Sequence, residues 1–176
     1  MTTYCLFCET DRCRSLGRIA ESILPCRAIA PRMIQHQYRK GQIRDVVRDF
    51  LPGYLFLYFE EDPGLQVMRM RSIPGTLRFM GDVRDDYRLS GNDESFALRI
   101  LRCGGAIGKM AVYEEKERFH LVSSEWGELD AAILKVDRRR HRMQVQVVFA
   151  KKPVTVWVEY VLQEEKGRDW PEDRFE

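Results

Sequence analysis

Six consecutive apolar residues, Tyr54-Leu55-Phe56-Leu57-Tyr58-Phe59, follow the turn pair Pro52-Gly53 and constrain this chain more than any other stretch. Read as a strand, the run puts Tyr54, Phe56 and Tyr58 on one face and Leu55, Leu57 and Phe59 on the other, because side chains alternate along extended backbone. A strand apolar on both faces has to be covered on both. Helices over the aliphatic face would leave the three aromatic rings as an exposed docking patch; a second helix layer would bury them instead.

The surrounding pattern supplies those helices. Tyr4 to Cys8 reads as a short strand, and Asp11 to Leu24 places Leu16, Ile19, Ala20, Ile23 and Leu24 at helical spacing before Pro25. Cys26 to Ala30 is a second strand. Met33 to Asp49, broken at Lys40-Gly41, is a polar hairpin or arm without a hydrophobic face. Pro63-Gly64 opens a short helix through Val67 and Met70, and a strand at Thr76 to Met80 follows the Pro74-Gly75 turn. Ser90-Gly91-Asn92-Asp93 caps a helix with Phe96, Ala97, Ile100 and Leu101, ended by Cys103-Gly104-Gly105. The first part is therefore an α+β unit of one sheet and two or three helices.

Beyond Gly104 to Lys109 the pattern turns wholly β. Short Val-rich strands are expected at Phe119 to Val122, Ala131 to Val136, Met143 to Phe149, Val154 to Val158 and Tyr160 to Leu162, as in a small bent barrel.

Composition narrows the function. Of 176 residues, 44% are hydrophobic and 32% charged, so the chain is globular rather than disordered. No apolar run reaches the roughly 20 residues of a membrane span, and the N-terminus lacks signal-peptide features, so a cytoplasmic protein is expected. Five cysteines are odd in number, which argues against a closed disulfide framework. Cys5 and Cys8 would point to opposite faces of a strand, and no second pair follows at zinc spacing, so no metal and no cofactor are expected. The three histidines stand apart, no Ser sits in a nucleophile elbow, and Gly104 to Lys109 lacks phosphate-loop spacing. Asp85-Asp86 and Glu114-Glu115 lie in polar surroundings, as solvated loops do. The chain therefore reads as non-enzymatic.

Two binding features remain. Net charge is only +2, yet Lys135, Arg138, Arg139, Arg140, His141 and Arg142 cluster at one expected hairpin tip, with Lys151 and Lys152 following. Guanidinium forks suit phosphate backbones, so these eight positions are the candidate nucleic-acid contacts; a solvated turn is the plainer alternative. The aromatic strand also partly matches the base-stacking strand of an RNA-recognition motif, although Pro52 and Leu55 replace its basic and small residues.

Three segments in order resemble the NusG family of transcription elongation factors. Leu51-Pro52-Gly53-Tyr54-Leu55-Phe56 is similar to its [FL]-P-x-Y strand, and Arg71-Ser72-Ile73-Pro74-Gly75 with Phe79-Met80-Gly81 to its R-S-[IV]-P…F-[IV]-G segment. Val122 to Asp137 with the following arginines is similar to its KOW hairpin. Thr3, where many members have Trp, and Ala131, where the barrel usually has Gly, depart from the pattern. The resemblance implies an α+β NusG N-terminal (NGN) domain over 1–107, built on an antiparallel sheet with helices. A linker at 108–116, an all-β, SH3-like KOW barrel over 117–165 and a flexible tail at 166–176 would follow. It further implies docking on the clamp helices of RNA polymerase through Tyr4, Leu51, Pro52, Tyr54, Phe56 and Phe79, with the polar arm reaching across the DNA cleft. Leu89 to Asp93 and Ile107-Gly108-Lys109 look most like the LoaP branch, which implies an operon antiterminator acting as a monomer, whose barrel recognises a hairpin in the nascent RNA. A general factor whose barrel meets a ribosomal protein or termination helicase is the alternative.

Overall fold

The computed structural model describes residues 1–39, 42–81, 87–122 and 132–163. Lys40-Gly41, Asp85-Asp86, Ala131 and the segment 166–176 lie outside the described residues. The chain divides into two compact units. One is Met1–Ile107 together with the turn Phe149–Val154; the other is Gly108–Val148 with Thr155–Glu176.

The first unit runs β1 (Thr2–Cys8), α1 (Cys13–Ile23), β2 (Cys26–Ile29), β3 (Arg32–Arg39), β4 (Gln42–Asp49), β5 (Tyr54–Phe59), a 3-10 run (Gly64–Ser72), β6 (Thr76–Met80), α2 (Gly91–Arg102) and β7 (Ala106–Ile107). Its main sheet has the order β2-β5-β1-β6, with β5 antiparallel to both neighbours. All six residues of β5 are buried. Leu55, Leu57 and Phe59 join Leu16 and Ala20 of α1 and Val67 and Met70 of the 3-10 run in one apolar cluster. The helix expected after Pro63 is thus a 3-10 run, in which residues three apart eclipse, so that Val67 and Met70 face the core together. Gly53, with φ of +87°, turns the chain into β5; a Cβ there would lie 2.9 Å from a Phe7 ring carbon. Its carbonyl accepts a 2.7 Å hydrogen bond from the Cys8 amide, tying the turn to the end of β1.

The polar arm is the β3–β4 hairpin, paired in register from Arg32↔Asp49 to Arg39↔Gln42. It is rooted by a parallel pairing of Arg32 and Met33 with Ala106 and Ile107 of β7, where Met33, Gln35 and Ile107 are buried.

The second unit contains β8 (Met110–Glu115), β9 (Arg118–Leu121), β10 (Ala132–Asp137), a 3-10 turn (Arg138–Arg140) and the greater part of β11 (Arg142–Phe149) and β12 (Lys152–Leu162), whose adjoining ends, Phe149 and Lys152–Val154, belong to the first unit; the curled sheet has the order β10-β11-β12-β8-β9. Met143, Val145 and Val147 are buried at alternate positions of β11, and Val156, Val158 and Tyr160 are buried in the same way along β12. The expected linker over 108–116 is corrected here. Met110 and Val112 are buried, and β8 runs parallel to β12 through Met110↔Tyr160 and Val112↔Leu162. A strand paired with a partner some fifty residues away leaves no local turn signal to announce it.

Thr3 is 1% exposed and its hydroxyl has no hydrogen-bond partner. An unsatisfied buried hydroxyl costs about 1–3 kcal/mol, and Val has the same shape without it. Thr3→Val is therefore expected to raise the stability of the first unit by about 1 kcal/mol. Urea unfolding followed by far-UV circular dichroism would show an unchanged or lower midpoint if the hydroxyl is satisfied.

Candidate docking and nucleic-acid surfaces

The expected docking residues are largely interior. Tyr4, Leu51, Tyr54, Phe56 and Phe79 are buried, Tyr54 at 9% exposure and Phe56 at 0%; Pro52 is exposed. The exposed aromatic patch is therefore corrected to a covered one. The second helix layer exists: α2 lays Phe96, Ala97 and Ile100 inward, and Ala97 accepts a 2.7 Å hydrogen bond from the Tyr58 hydroxyl. Burial raises the Tyr58 phenol well above its ordinary pKa, which keeps it a donor. The Phe149 ring completes the cover at 5.6 Å from Tyr54, 5.3 Å from Phe56 and 5.4 Å from Phe96, the first two edge-on. Asp93, expected to help cap α2, accepts a hydrogen bond from the Ala150 amide at 2.9 Å. With Tyr54, Phe56 and Tyr58 covered, no ring of β5 is open for a base to stack on as the unit stands.

Tyr4 and Phe79 serve the fold. The Tyr4 ring stands edge-on to Phe59 and Phe79, and its hydroxyl donates to Asp62, which also accepts from Arg88 at 3.1 Å and from the Gly64 amide at 2.9 Å. That carboxylate fixes the entry to the 3-10 run.

Among the described residues no group of three or more His, Cys, Asp or Glu side chains could hold a metal ion. Cys5 and Cys8 are buried, and burial pushes the Cys5 thiol up. No described helix is long and apolar enough to cross a membrane.

The arginine cluster lies on a built turn. Asp137 accepts a hydrogen bond from the Arg140 amide at 3.1 Å, and His141 takes the left-handed conformation with φ of +48°, closing one 3-10 turn over Arg138–Arg140. The Tyr160 amide donates to the His141 carbonyl at 3.0 Å, anchoring the turn to β12. The six basic positions are not equivalent. Arg138 grips Glu114 with both terminal nitrogens, at 2.6 and 3.1 Å, and its guanidinium lies 4.7 Å from the Phe119 ring centre. It is occupied within the unit. Lys135, Arg139 and Arg140 are exposed, Arg142 is half-buried, and His141 is exposed with its ring 5.8 Å from Tyr160. Among the described residues no hydrogen bond or ion pair holds the Arg139 side chain. Lys151 and Lys152 are exposed on the turn that belongs to the first unit. Glu114 is the partner that the sequence hides: its polar neighbours make it look like a solvated carboxylate, and nothing local pairs it with an arginine 24 positions away.

No protein-family model and no curated protein matches the chain. Among solved structures, a NusG from Thermotoga maritima, described for its domain interaction, is similar over 90% of this chain and 93% of its own, with a TM-score of 0.53 and 15% sequence identity. This chain has the fold of NusG. In NusG terms the first unit is the NGN domain and the curled sheet the KOW barrel.

The Arg138 fork holds the Glu114 carboxyl below the ordinary glutamate range. A carboxylate depressed in the folded state contributes stability above its unfolded pKa, and that contribution is lost as pH falls through the folded value. Carbon-detected NMR titration is expected to show a lowered Glu114 pKa that returns to the ordinary range in Arg138→Ala. An unshifted carboxyl in the native chain would mean that the fork does not persist in solution.

Proposed function

We propose that this chain is a NusG-like transcription elongation factor whose NGN domain docks on RNA polymerase and whose KOW barrel touches nucleic acid through its arginine turn. The observation that carries the reading is the NusG fold spanning both units, on a sequence that also keeps the Leu51-Pro52-Gly53-Tyr54 segment, which turns into β5 inside the main sheet. Docking on the clamp helices would use Tyr54 and Phe56, with Pro52 at the rim. Since Phe149 covers those rings, it has to withdraw before a partner helix can take its place. We take the protein to act without a cofactor or catalysis, as a cytoplasmic monomer, in the manner of the LoaP antiterminators, with a hairpin in the transcript as the barrel's ligand.

Arg139, Arg140 and Arg142 support the RNA contact: two arginines leave the turn and the third opens β11 beside it, while Arg138 braces the turn against Glu114. A barrel that instead meets a ribosomal protein or a termination helicase would not need them. The RNA reading thus separates from the general one by charge alone.

Two experiments test these readings. In pull-downs with core RNA polymerase, Tyr54→Ala is expected to abolish binding and Phe149→Ala to strengthen it, with read-through of a terminator template following the same order. Equal binding by all three proteins would remove docking through this face. Replacing Arg139, Arg140 and Arg142 by Ala should weaken binding to structured RNA and flatten the slope of log K against log salt by about 0.9 for each phosphate that the turn no longer neutralises. An unchanged slope would exclude the arginine turn as the RNA-binding element.

A further inference from the structure

A cavity of about 290 Å³ opens in the first unit between α1, β2 and the turn that ends α2. Small residues, Gly17 and Ala28 among them, line it, and four arginines stand around it: Arg14 and Arg18 from α1, Arg27 from β2 and Arg32 from the start of β3. Arg14 lies 3.8 Å from Asp49, an exposed and weak pairing. Among the described residues, no ion pair engages Arg18, Arg27 or Arg32, and all three are exposed. The lining contains no aromatic ring.

One carboxylate is already seated there. Glu21 accepts a 2.9 Å hydrogen bond from the Ala28 amide. β2 is an edge strand of the main sheet, so an amide turned away from β5 needs an acceptor from elsewhere. Glu21 supplies it, and in doing so shows that an oxyanion can occupy this position against the strand edge. Its single charge leaves most of the surrounding positive charge uncompensated.

We propose that this cavity is a phosphate-binding site, with Arg18, Arg27 and Arg32 as the charged ligands and Glu21 as the internal anion that tempers its affinity. Guanidinium forks match phosphate oxygens in pairs, and a lining without rings cannot stack a base, so recognition is of the phosphate and not of the sequence. The phosphate comes from a nucleic-acid strand or from a free nucleotide or polyphosphate. The site lies in a different unit from the arginine turn of the barrel and does not depend on the function proposed for that turn.

The test uses the full chain at low ionic strength with two probes, inorganic pyrophosphate by calorimetry and short mixed-sequence single-stranded DNA by fluorescence anisotropy. Arg18→Ala/Arg27→Ala is expected to weaken binding about tenfold or more, as loss of charge-assisted hydrogen bonds does. Glu21→Gln, which keeps an acceptor for the Ala28 amide and removes the charge, is expected to strengthen it. Circular dichroism establishes that both variants are folded, and Arg18→Lys/Arg27→Lys is expected to restore part of the affinity. Effects on the strand alone identify a nucleic-acid site; effects on pyrophosphate alone identify a small-ligand site; both outcomes uphold the proposal. The Arg139, Arg140 and Arg142 variant measured in parallel separates failure here from failure of the barrel. If the α1–β2 variants bind both probes as the native chain does, or the native chain binds neither, the proposal is overturned.

Discussion

The first unit depends on one strand that has no solvent face. β5 lies inside the sheet between β1 and β2, so its backbone polar groups are paired on both edges, and its side chains have to be covered above and below. α1 and the 3-10 run take the aliphatic side; α2 and Phe149 take the aromatic side. The remaining connections serve this arrangement: Gly53 turns the chain into the strand, and Asp62 holds the start of the 3-10 run. The aromatic side is held by ring-edge contacts of roughly 0.5–1.5 kcal/mol each and one hydroxyl-to-carbonyl bond, rather than by a continuous aliphatic core. Contacts of that kind can be exchanged for similar ones from a partner.

The second unit solves a different problem, that of placing several like charges on one turn. Arginines adjacent in sequence repel, and a turn of three residues gains little from packing. Asp137 offsets the charge locally through the Arg140 amide, while Glu114 and the Phe119 face absorb Arg138. Crowding is thereby relieved by a partner on β8, and Arg139 and Arg140 remain exposed. One arginine gives up its own availability so that the turn can present the others.

Much of this was legible in the sequence because it is written in short-range periodicity. The 3.6-residue spacing of Leu16 and Ala20, the alternation of Met143, Val145 and Val147, and the glycines bounding α2 place those elements within a residue or two. The two-unit order and the arm were readable in the same way, from a change of period and from polar composition. The segments that differ from expectation are those whose state is set by distant partners. Met110–Glu115 is a strand because β12 lies alongside it, and the Gly64–Ser72 run is 3-10 because Val67 and Met70 share one side of a small core.

By itself the sequence determined that β5 is apolar on both faces, that basic residues gather at one hairpin and that a β barrel follows an α+β unit, since each is a property of neighbouring residues. Only the tertiary structure decided which faces are open. Tyr54 and Phe56 are covered because α2 and Phe149 cross them, Arg138 is occupied because β8 brings Glu114 to it, and four arginines surround one cavity because α1, β2 and β3 meet there. Exposure and pairing depend on residues far apart in the chain, and local periodicity carries no record of them.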